Sequence, residues 1–375
     1  MLDIKELKKV YKGKKVLVTG HTGFKGSYVV VLLKYLGAKV YGYSLRPVGQ
    51  SLYDILLKDF KKSHIKNIGK TLVENETFSD IRDEKKLYSF VKKVKPDYIL
   101  HMAAQPLVLT SYEKPKYTYE VNVMGTVNLL EAIRNTYSKS KSLVSILNVT
   151  TDKVYENNDL SNYAFKESDK LCGYDPYANS KSCSELVTYS YNKSFFTDKN
   201  VYRISTARAG NVIGGGDLND NRIIPDTFRA IKNKKIMKVR NPLSVRPYQY
   251  VLEPLILYLN ILAMQKKDKS FESNYNIGPD KKDCFETKEI VSRFLNEWKN
   301  VDEYSVPKVQ YGKANKKALH EATFLRLDNR YVKEKLNYKR IFSMNDTMKW
   351  TAKVYFDMLQ KNNLFDSIYN MIDTL

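Results

Sequence analysis

Tyr177 and Lys181, four residues apart in Pro-Tyr-Ala-Asn-Ser-Lys, could do acid–base chemistry together. Residues i and i+4 of a helix share one face. An ammonium beside a phenol stabilises the phenolate, which turns a tyrosine into a usable base near neutral pH. With 29 tyrosines and many lysines in the chain, that spacing alone decides little. Its position decides more, because the pair follows a strand-like run, SLVSILNVT (142–150), that leads into Thr150-Thr151-Asp152-Lys153. A hydroxyl at that strand end, Thr151, is the expected third member of a Thr-Tyr-Lys set. Asp152 and Lys153 add a carboxyl and an amine that would elsewhere be read as a solvated turn.

A second group binds rather than reacts. Thr19-Gly20-His21-Thr22-Gly23-Phe24-Lys25-Gly26 lies between a predicted strand and a predicted helix, the context a phosphate-binding turn requires. One glycine permits the tight turn, one lets the backbone approach a pyrophosphate, and one allows helix and strand to pack closely, while the helix N-terminus offers N–H donors. The turn therefore predicts a dinucleotide site at Gly20, Thr22, Gly23, Phe24, Lys25 and Gly26. The acidic residue that usually holds the adenosine ribose is missing after the second strand, where Ser44 and Arg46 stand. Arg46 could pair with a 2′-phosphate, so the sequence leaves NAD and NADP both open. Asp80 and Ile81 offer a carboxylate and a backbone edge for the adenine, and Ala103 and Ala104 would let the backbone lie against the cofactor.

The elements that must position these residues are those of a doubly wound α/β fold. Over the first 210 residues short β-branched runs alternate with helical patterns, which predicts a Rossmann-type parallel sheet. KVLVT (15–19) is the first strand, and the helix from Phe24 stops at Leu36, where Gly37 provides a left-handed cap. Further strands are expected at 39–44, ending near Phe78, at 97–103, 142–150 and 201–209, with an irregular stretch from Arg46 to about Lys70. Helices are expected from Asp83 to Val94, over 116–136, and from Pro176 past Tyr191. Beyond 210, short helices at 224–233, 253–265, 287–298 and 344–358 predict a smaller, mostly helical lobe. The expected division is thus 1–210 for the dinucleotide and catalytic residues and 211–375 for substrate, with some segments crossing back.

Composition narrows the classes. Lys and Arg outnumber Asp and Glu by 63 to 41, a formal charge of +22, which suits anionic partners. The lysines are scattered, without a basic arm or an aromatic-basic repeat, so no nucleic acid partner is expected and an anionic metabolite is. No apolar run spans a bilayer, and MLDIKELKKVYKGKK lacks the apolar core of an export signal, so a cytoplasmic protein with no membrane partner is expected. Cys172, Cys183 and Cys284 are too few and too far apart for a disulfide framework or a metal site. His21 reads as a packing residue, and His64 and His101 have no visible partner.

Together, VTGHTGFKGSY (18–28), HMAAQPLV (101–108), NVMGTVNLLEA (122–132), TTDKVYEN (150–157), GYDPYANSKSCSELV (173–187), ARAGNVIGGGD (207–217), RPYQYVLEPL (246–255) and HEATFLRLD (320–328) resemble the extended short-chain dehydrogenase/reductases, and within them the CDP-glucose 4,6-dehydratases. The resemblance implies a redox-neutral dehydration on bound NAD, in a cytoplasmic homodimer formed through helices such as 116–136 and 176–192. It implies that Thr151 orients the C4 oxygen of the sugar, that Tyr177 removes its proton, and that Lys181 binds the nicotinamide ribose. It implies that Asp152 protonates the departing C6 hydroxyl. Lys153 stands where some relatives carry a glutamate base for the C5 proton; a lysine crowded by other cations can be uncharged and serve, the alternative being an orienting role. Asn211, Arg222, Arg246 and Gln105 match substrate-binding positions, Gln105 serving the cofactor as well. His320 and Glu321 recur in the family without a chemical assignment. Tyr248 and Tyr250 replace the usual Trp and His, Thr151 replaces Ser and Val154 replaces Cys, which leaves the sugar and nucleotide open, including another hexose or a heptose. A 4-epimerase or reductase on the same scaffold would need Tyr177 and Lys181 but not Asp152 and Lys153.

Overall fold

The runs at Lys15–Thr19, Tyr98–His101 and Val144–Val149 become central parallel strands because they are buried on both faces and too short to be buried helices. The computed structural model describes residues 1–158, 163–302, 306–312 and 325–375. Seven strands lie in the order Asn274–Ile277, Tyr202–Ala209, Val144–Val149, Tyr98–His101, Lys15–Thr19, Lys39–Ser44 and Asn75–Phe78, and every neighbouring pair is parallel. The chain builds outward from Lys15–Thr19 to one edge, then returns and builds from Tyr98–His101 to the other. The gap between those two strands is the topological switch point, where an open parallel sheet presents a crevice at its carboxyl ends.

Each face of the sheet is covered. On one side Leu32, Leu33, Leu255, Leu259 and Ile368 belong to one buried cluster, which joins helices Phe24–Tyr35, Leu252–Lys267 and Leu364–Asp373. On the other, Leu87, Val91, Leu129 and Ile133 bring Glu84–Val94 and Gly125–Tyr137 onto the strands. A third cluster, around Trp298, Phe228 and Tyr355, holds helices Ile223–Lys232, Thr287–Lys299 and Met344–Leu359 together as a lobe beside the sheet. Among the described residues no helix is long and apolar enough to cross a membrane.

Three expectations change. The stretch after Arg46 contains helix Leu52–Phe60, capped by Ser51 accepting from Asp54 N, with Leu52, Tyr53, Leu56 and Phe60 buried. The single helix expected over 116–136 is Pro115–Tyr119, a π-helical turn at Glu120–Met124, and Gly125–Tyr137. The helix expected at 253–265, grouped with the lobe by its place in the chain, lies on the sheet: Tyr11 and Ser145 donate to its Leu259 and Leu262 carbonyls at 2.7 and 2.8 Å. Asn274–Ile277 likewise joins the sheet as its seventh strand.

A buried ion pair ties the strand Tyr202–Ala209 to the helix Pro176–Ser194. Arg208 donates to both Glu185 oxygens at 3.0 and 2.9 Å, and Thr150 and Thr206 donate to the same carboxylate at 2.5 and 2.7 Å. The Arg208 and Glu185 side chains are 1% and 2% exposed, so removing one partner strands a charge in low dielectric. Glu185→Ala is expected to cost about 3–5 kcal/mol, read as a lowered urea midpoint, whereas replacing Glu185 and Arg208 together by Met and Leu should cost less. Equal losses in the single and double variants would count against this account.

Candidate active site

The switch-point crevice widens into a cleft of about 1400 Å³ between sheet and lobe. Its floor is laid by the strand Val144–Val149, whose exit turns Thr151, Asp152 and Lys153 into the opening. The helix Pro176–Ser194 starts beside it because Asp175 caps it, accepting from Ala178 N at 2.9 Å, and Pro176 takes the first turn. That start sets Tyr177 and Lys181 against the strand end.

The five catalytic candidates come together. Thr151 Oγ1 donates to Asp152 Oδ1 at 3.1 Å, and Lys153 Nζ donates to the same oxygen at 3.3 Å. Asp152 is 1% exposed, and its Oδ2 is buried with no hydrogen-bond partner. Tyr177 and Thr151 line the same part of the cleft. Burial pushes the Tyr177 phenol up to about 12, while the neighbouring Thr151 hydroxyl and the Arg222 charge pull the other way. Lys181 Nζ donates to the Val149 carbonyl at 3.1 Å, and burial lowers its ammonium to about 8.

The glycine turn takes the expected form. Gly20 has φ +75°, and a Cβ there would meet Ala103 N at 2.8 Å. A Cβ on Gly26 would sit 2.2 Å from the Gly20 carbonyl oxygen. Helix Phe24–Tyr35 begins at Gly23 with no side-chain cap, so its first N–H groups face the cleft. Thr22, Phe24, Ser44, Asp80, Ile81, Ala103 and Ala104 line the same wall. These residues fit the pyrophosphate and ribose of a dinucleotide.

Other assignments shift. Lys25, expected to serve the cofactor, lines the cleft and is drawn down to about 8 by burial, by Arg222 and by Lys181 and Lys153, against Asp152. Gln105 does not line the cleft: its amide is spent on Leu107 N, Leu107 O and Thr118 at 2.6, 3.1 and 2.9 Å. Arg46 lies outside the lining, with its guanidinium 4.6 Å from the Phe78 ring centre. Asp80 lines the wall while paired to Arg82 at 2.9 Å. At the substrate end Asn211, Arg222, Arg246 and Tyr248 line the cleft, Arg222 standing 3.8 Å from Asp217. Tyr250 instead turns into the core and donates to Met371 Sδ at 3.2 Å. His320 and Glu321 lie outside the described residues.

His101 has partners after all. The Thr19 hydroxyl accepts from Met102 N and Ala103 N, so it donates to His101 Nδ1 at 2.7 Å, and Nε2–H points to Thr126 at 3.2 Å. Burial keeps that imidazole neutral by lowering it to about 3. Sequence reasoning also gave no role to Asn122, which the π-helical turn aims at Gln105 N, Gln105 O and Ser180 Oγ at 2.8, 3.1 and 2.9 Å. It clamps the cofactor-side loop to the catalytic helix, and its only sequence signal is its place in NVMGT. Among the described residues no cluster of three His, Cys, Asp or Glu side chains is placed to hold a metal.

A family model described as GDP-mannose 4,6 dehydratase matches residues 17–351. The chain belongs to that family. It is 37% identical over 354 residues to a CDP-glucose 4,6-dehydratase of Salmonella typhimurium, covering 92% of each chain. By structure it is similar to a dTDP-glucose 4,6-dehydratase of Bacillus anthracis in complex with NAD, with a TM-score of 0.71 at 18% identity, covering 95% of this chain and 100% of that one. It is equally similar to a Thermus thermophilus UDP-glucose 4-epimerase complexed with NAD, with a TM-score of 0.72 at 21% identity, covering 91% and 98%. The two structures establish the fold, a Rossmann-type sheet carrying a smaller helical lobe. Membership of a dehydratase family agrees with Asp152 and Lys153 standing beside the Thr-Tyr-Lys set.

Proposed function

We propose that the protein is an NAD-dependent CDP-glucose 4,6-dehydratase, giving CDP-4-keto-6-deoxyglucose. The observation that carries this reading is the second acid–base pair. Asp152 and Lys153 share a contact beside Thr151 and Tyr177, and Asp152 keeps one buried oxygen unpartnered. An epimerase or reductase, for which the neighbouring folds speak, has no use for that pair.

Gly20, Gly23 and Gly26 at the turn would hold the dinucleotide, which would supply the hydride chemistry at C4 and C6. Tyr177 takes the C4 hydroxyl proton while Thr151 orients that oxygen. Lys181 holds the nicotinamide ribose. The C4 ketone acidifies C5–H, Lys153 removes that proton, and Asp152 Oδ2 protonates the departing C6 hydroxyl. Arg222, Arg246 and Asn211 hold the diphosphate end, arginine suiting phosphate by its paired donors. Arg46 leans on Phe78 outside the cleft, which favours NAD over NADP.

Purified protein given CDP-glucose and NAD is expected to form the 4-keto-6-deoxy sugar with no net reduced dinucleotide, and in heavy water to place deuterium at C5. Turnover of another nucleotide hexose or a heptose, with CDP-glucose untouched, would replace the substrate and keep the reaction. C4 inversion without loss of water would favour the epimerase. Lys153→Met is expected to abolish C5 exchange while C4 oxidation remains visible as bound reduced dinucleotide. Rapid exchange in that variant would assign Lys153 the orienting role.

A homodimer fits the exposed apolar side chains on the outer helices, where Met124, Leu186 and Tyr189 are 50%, 54% and 62% exposed. A sedimenting mass of one chain at micromolar concentration would rule it out. The scattered lysines and the absence of a basic arm support a soluble cytoplasmic enzyme with no nucleic acid or membrane partner. Salt-sensitive retention on DNA, or pelleting with vesicles, would contradict that.

A further inference from the structure

Thr19, His101 and Asn148 stand in register on the three central strands, and are 0%, 2% and 1% exposed. A polar row inside a sheet needs a partner for each of its hydrogens, and here the partners lead to the helix that carries Tyr177 and Lys181. Thr19 donates to His101 Nδ1, and the imidazole Nε2–H reaches Thr126, at 2.7 and 3.2 Å. The Thr126 hydroxyl spends its own hydrogen on the Asn122 carbonyl at 2.7 Å. Ser184 therefore donates to Thr126 at 2.9 Å, and it accepts from Asn148 at 2.9 Å. A charged imidazole would need Thr19 Oγ1 as an acceptor, and that oxygen already accepts from Met102 N and Ala103 N. The tie holds only in the neutral Nε2–H form, which burial favours.

The same helix is reached a second time, one turn earlier. Asn122 holds Gln105 N and O at 2.8 and 3.1 Å and donates to Ser180 Oγ at 2.9 Å. Ser180 in turn donates to the Tyr177 carbonyl at 2.7 Å. Ser180 and Ser184 are four residues apart, on one face of Pro176–Ser194. Met102, Ala103 and Ala104, which line the cleft, are thus strung between two ties, one at His101 and one at Gln105. The glycine turn abuts the same wall, since a Cβ on Gly20 would meet Ala103 N at 2.8 Å.

We propose that His101 is a positioning residue for the reaction. Together with Asn122 it fixes residues 102–104 against the catalytic helix, and so sets the spacing between the wall that would receive the dinucleotide and the Tyr177 and Lys181 side chains. His101 itself lies outside the cleft lining, so it acts through Ser184 and through the backbone that Thr19 holds. Reaction rates are steep in such spacings, a displacement of about 1 Å costing about a hundredfold. The effect belongs to kcat, because Arg222, which binds the sugar nucleotide, stands at the start of the lobe helix Ile223–Lys232. This role rests on the dehydratase reading for the reaction it serves; the two ties do not.

The test uses the full chain as wild type, His101→Phe, Ser184→Ala and the double variant. Two measurements on His101→Phe need no reaction. NAD affinity is expected to fall about tenfold, the worth of a lost hydrogen bond, and the Met102 and Ala103 amides to exchange hydrogen faster. With CDP-glucose, kcat is expected to fall about a hundredfold while KM stays within about threefold. A sugar deuterated at C4 should slow the variant more than it slows wild type, because hydride transfer becomes the slow step. Ser184→Ala leaves the imidazole in place and is expected to show the same split, and to add nothing to His101→Phe in the double variant, since both cut one tie. If His101→Phe does not fold, Ser184→Ala and its isotope effect decide. A folded variant with wild-type kcat, an isotope effect no larger than that of wild type, or losses that multiply in the double variant would each overturn the role and leave His101 a packing residue. A wild type that forms no 4-keto-6-deoxy product is a different failure and removes the dehydratase reading. NAD affinity and amide exchange in His101→Phe then decide the tie alone: changed as expected they keep it, unchanged they overturn it.

Discussion

Tyr177→Phe is expected to lower CDP-glucose turnover by about three orders of magnitude, the middle of what a positioned base contributes, with folding and NAD binding retained. The ring stays and only the hydroxyl goes, so the loss reads out the base. Burial holds the Tyr177 phenol at about 12, and a base works only after losing its proton, so the rate should rise with pH up to the point where the phenol is ionised. Positive charge brought beside it lowers that point. The nicotinamide and the Lys181 ammonium are both of that sign, so Lys181→Met is expected to shift the acid limb of the pH profile upward in pH. A Tyr177→Phe enzyme retaining a tenth of wild-type turnover, or a Lys181→Met profile displaced downward, would show that the proton leaves by another route.

The second large effect is expected from Asp152→Asn. An amide cannot protonate the departing hydroxide, so elimination should slow by about a thousandfold while C4 oxidation continues. Reduced dinucleotide and the 4-keto hexose should then accumulate together in one enzyme equivalent, a signature opposite to that of Tyr177→Phe, in which neither forms. The two variants divide the reaction at its first committed intermediate. If Asp152→Asn halts C4 oxidation as well, Asp152 acts with Tyr177 from the start and the division of roles fails.

Much of this was legible in the sequence because short-range rules governed it. Pro176 starts the catalytic helix, Gly37 follows the end of helix Phe24–Tyr35 with φ +75°, and both were readable from residue types alone. The glycine turn and Thr151-Asp152-Lys153 were placed by the strands that precede them. What failed depended on partners far along the chain. Gln105 leaves an apolar strand next to small residues, as a cofactor ligand would, but Leu107 and Thr118 satisfy its amide first. Tyr250 lies two residues from the cleft-lining Tyr248, yet it belongs to the strand Gln249–Tyr250, paired with Val212–Ile213, while Tyr248 precedes that strand, and Tyr250 turns inward to Met371. The Arg208–Glu185 pair could not be foreseen, since nothing local distinguishes a buried arginine from an exposed one. Helix Leu52–Phe60 is a different case, since its cap is local: Ser51 accepts from Asp54 N.

The seventh strand has a consequence for how the chain is made. Until Asn274–Ile277 has left the ribosome, Tyr202–Ala209, buried throughout in the finished sheet, has nothing on its outer side. Bare strand edges recruit other chains. At synthesis rates of roughly 5–20 residues per second, that edge stays open for several seconds in every nascent molecule. Production of the enzyme therefore depends on keeping nascent chains apart during that interval, and a fragment ending at the glycine-rich segment after Ala209 would carry the open edge permanently.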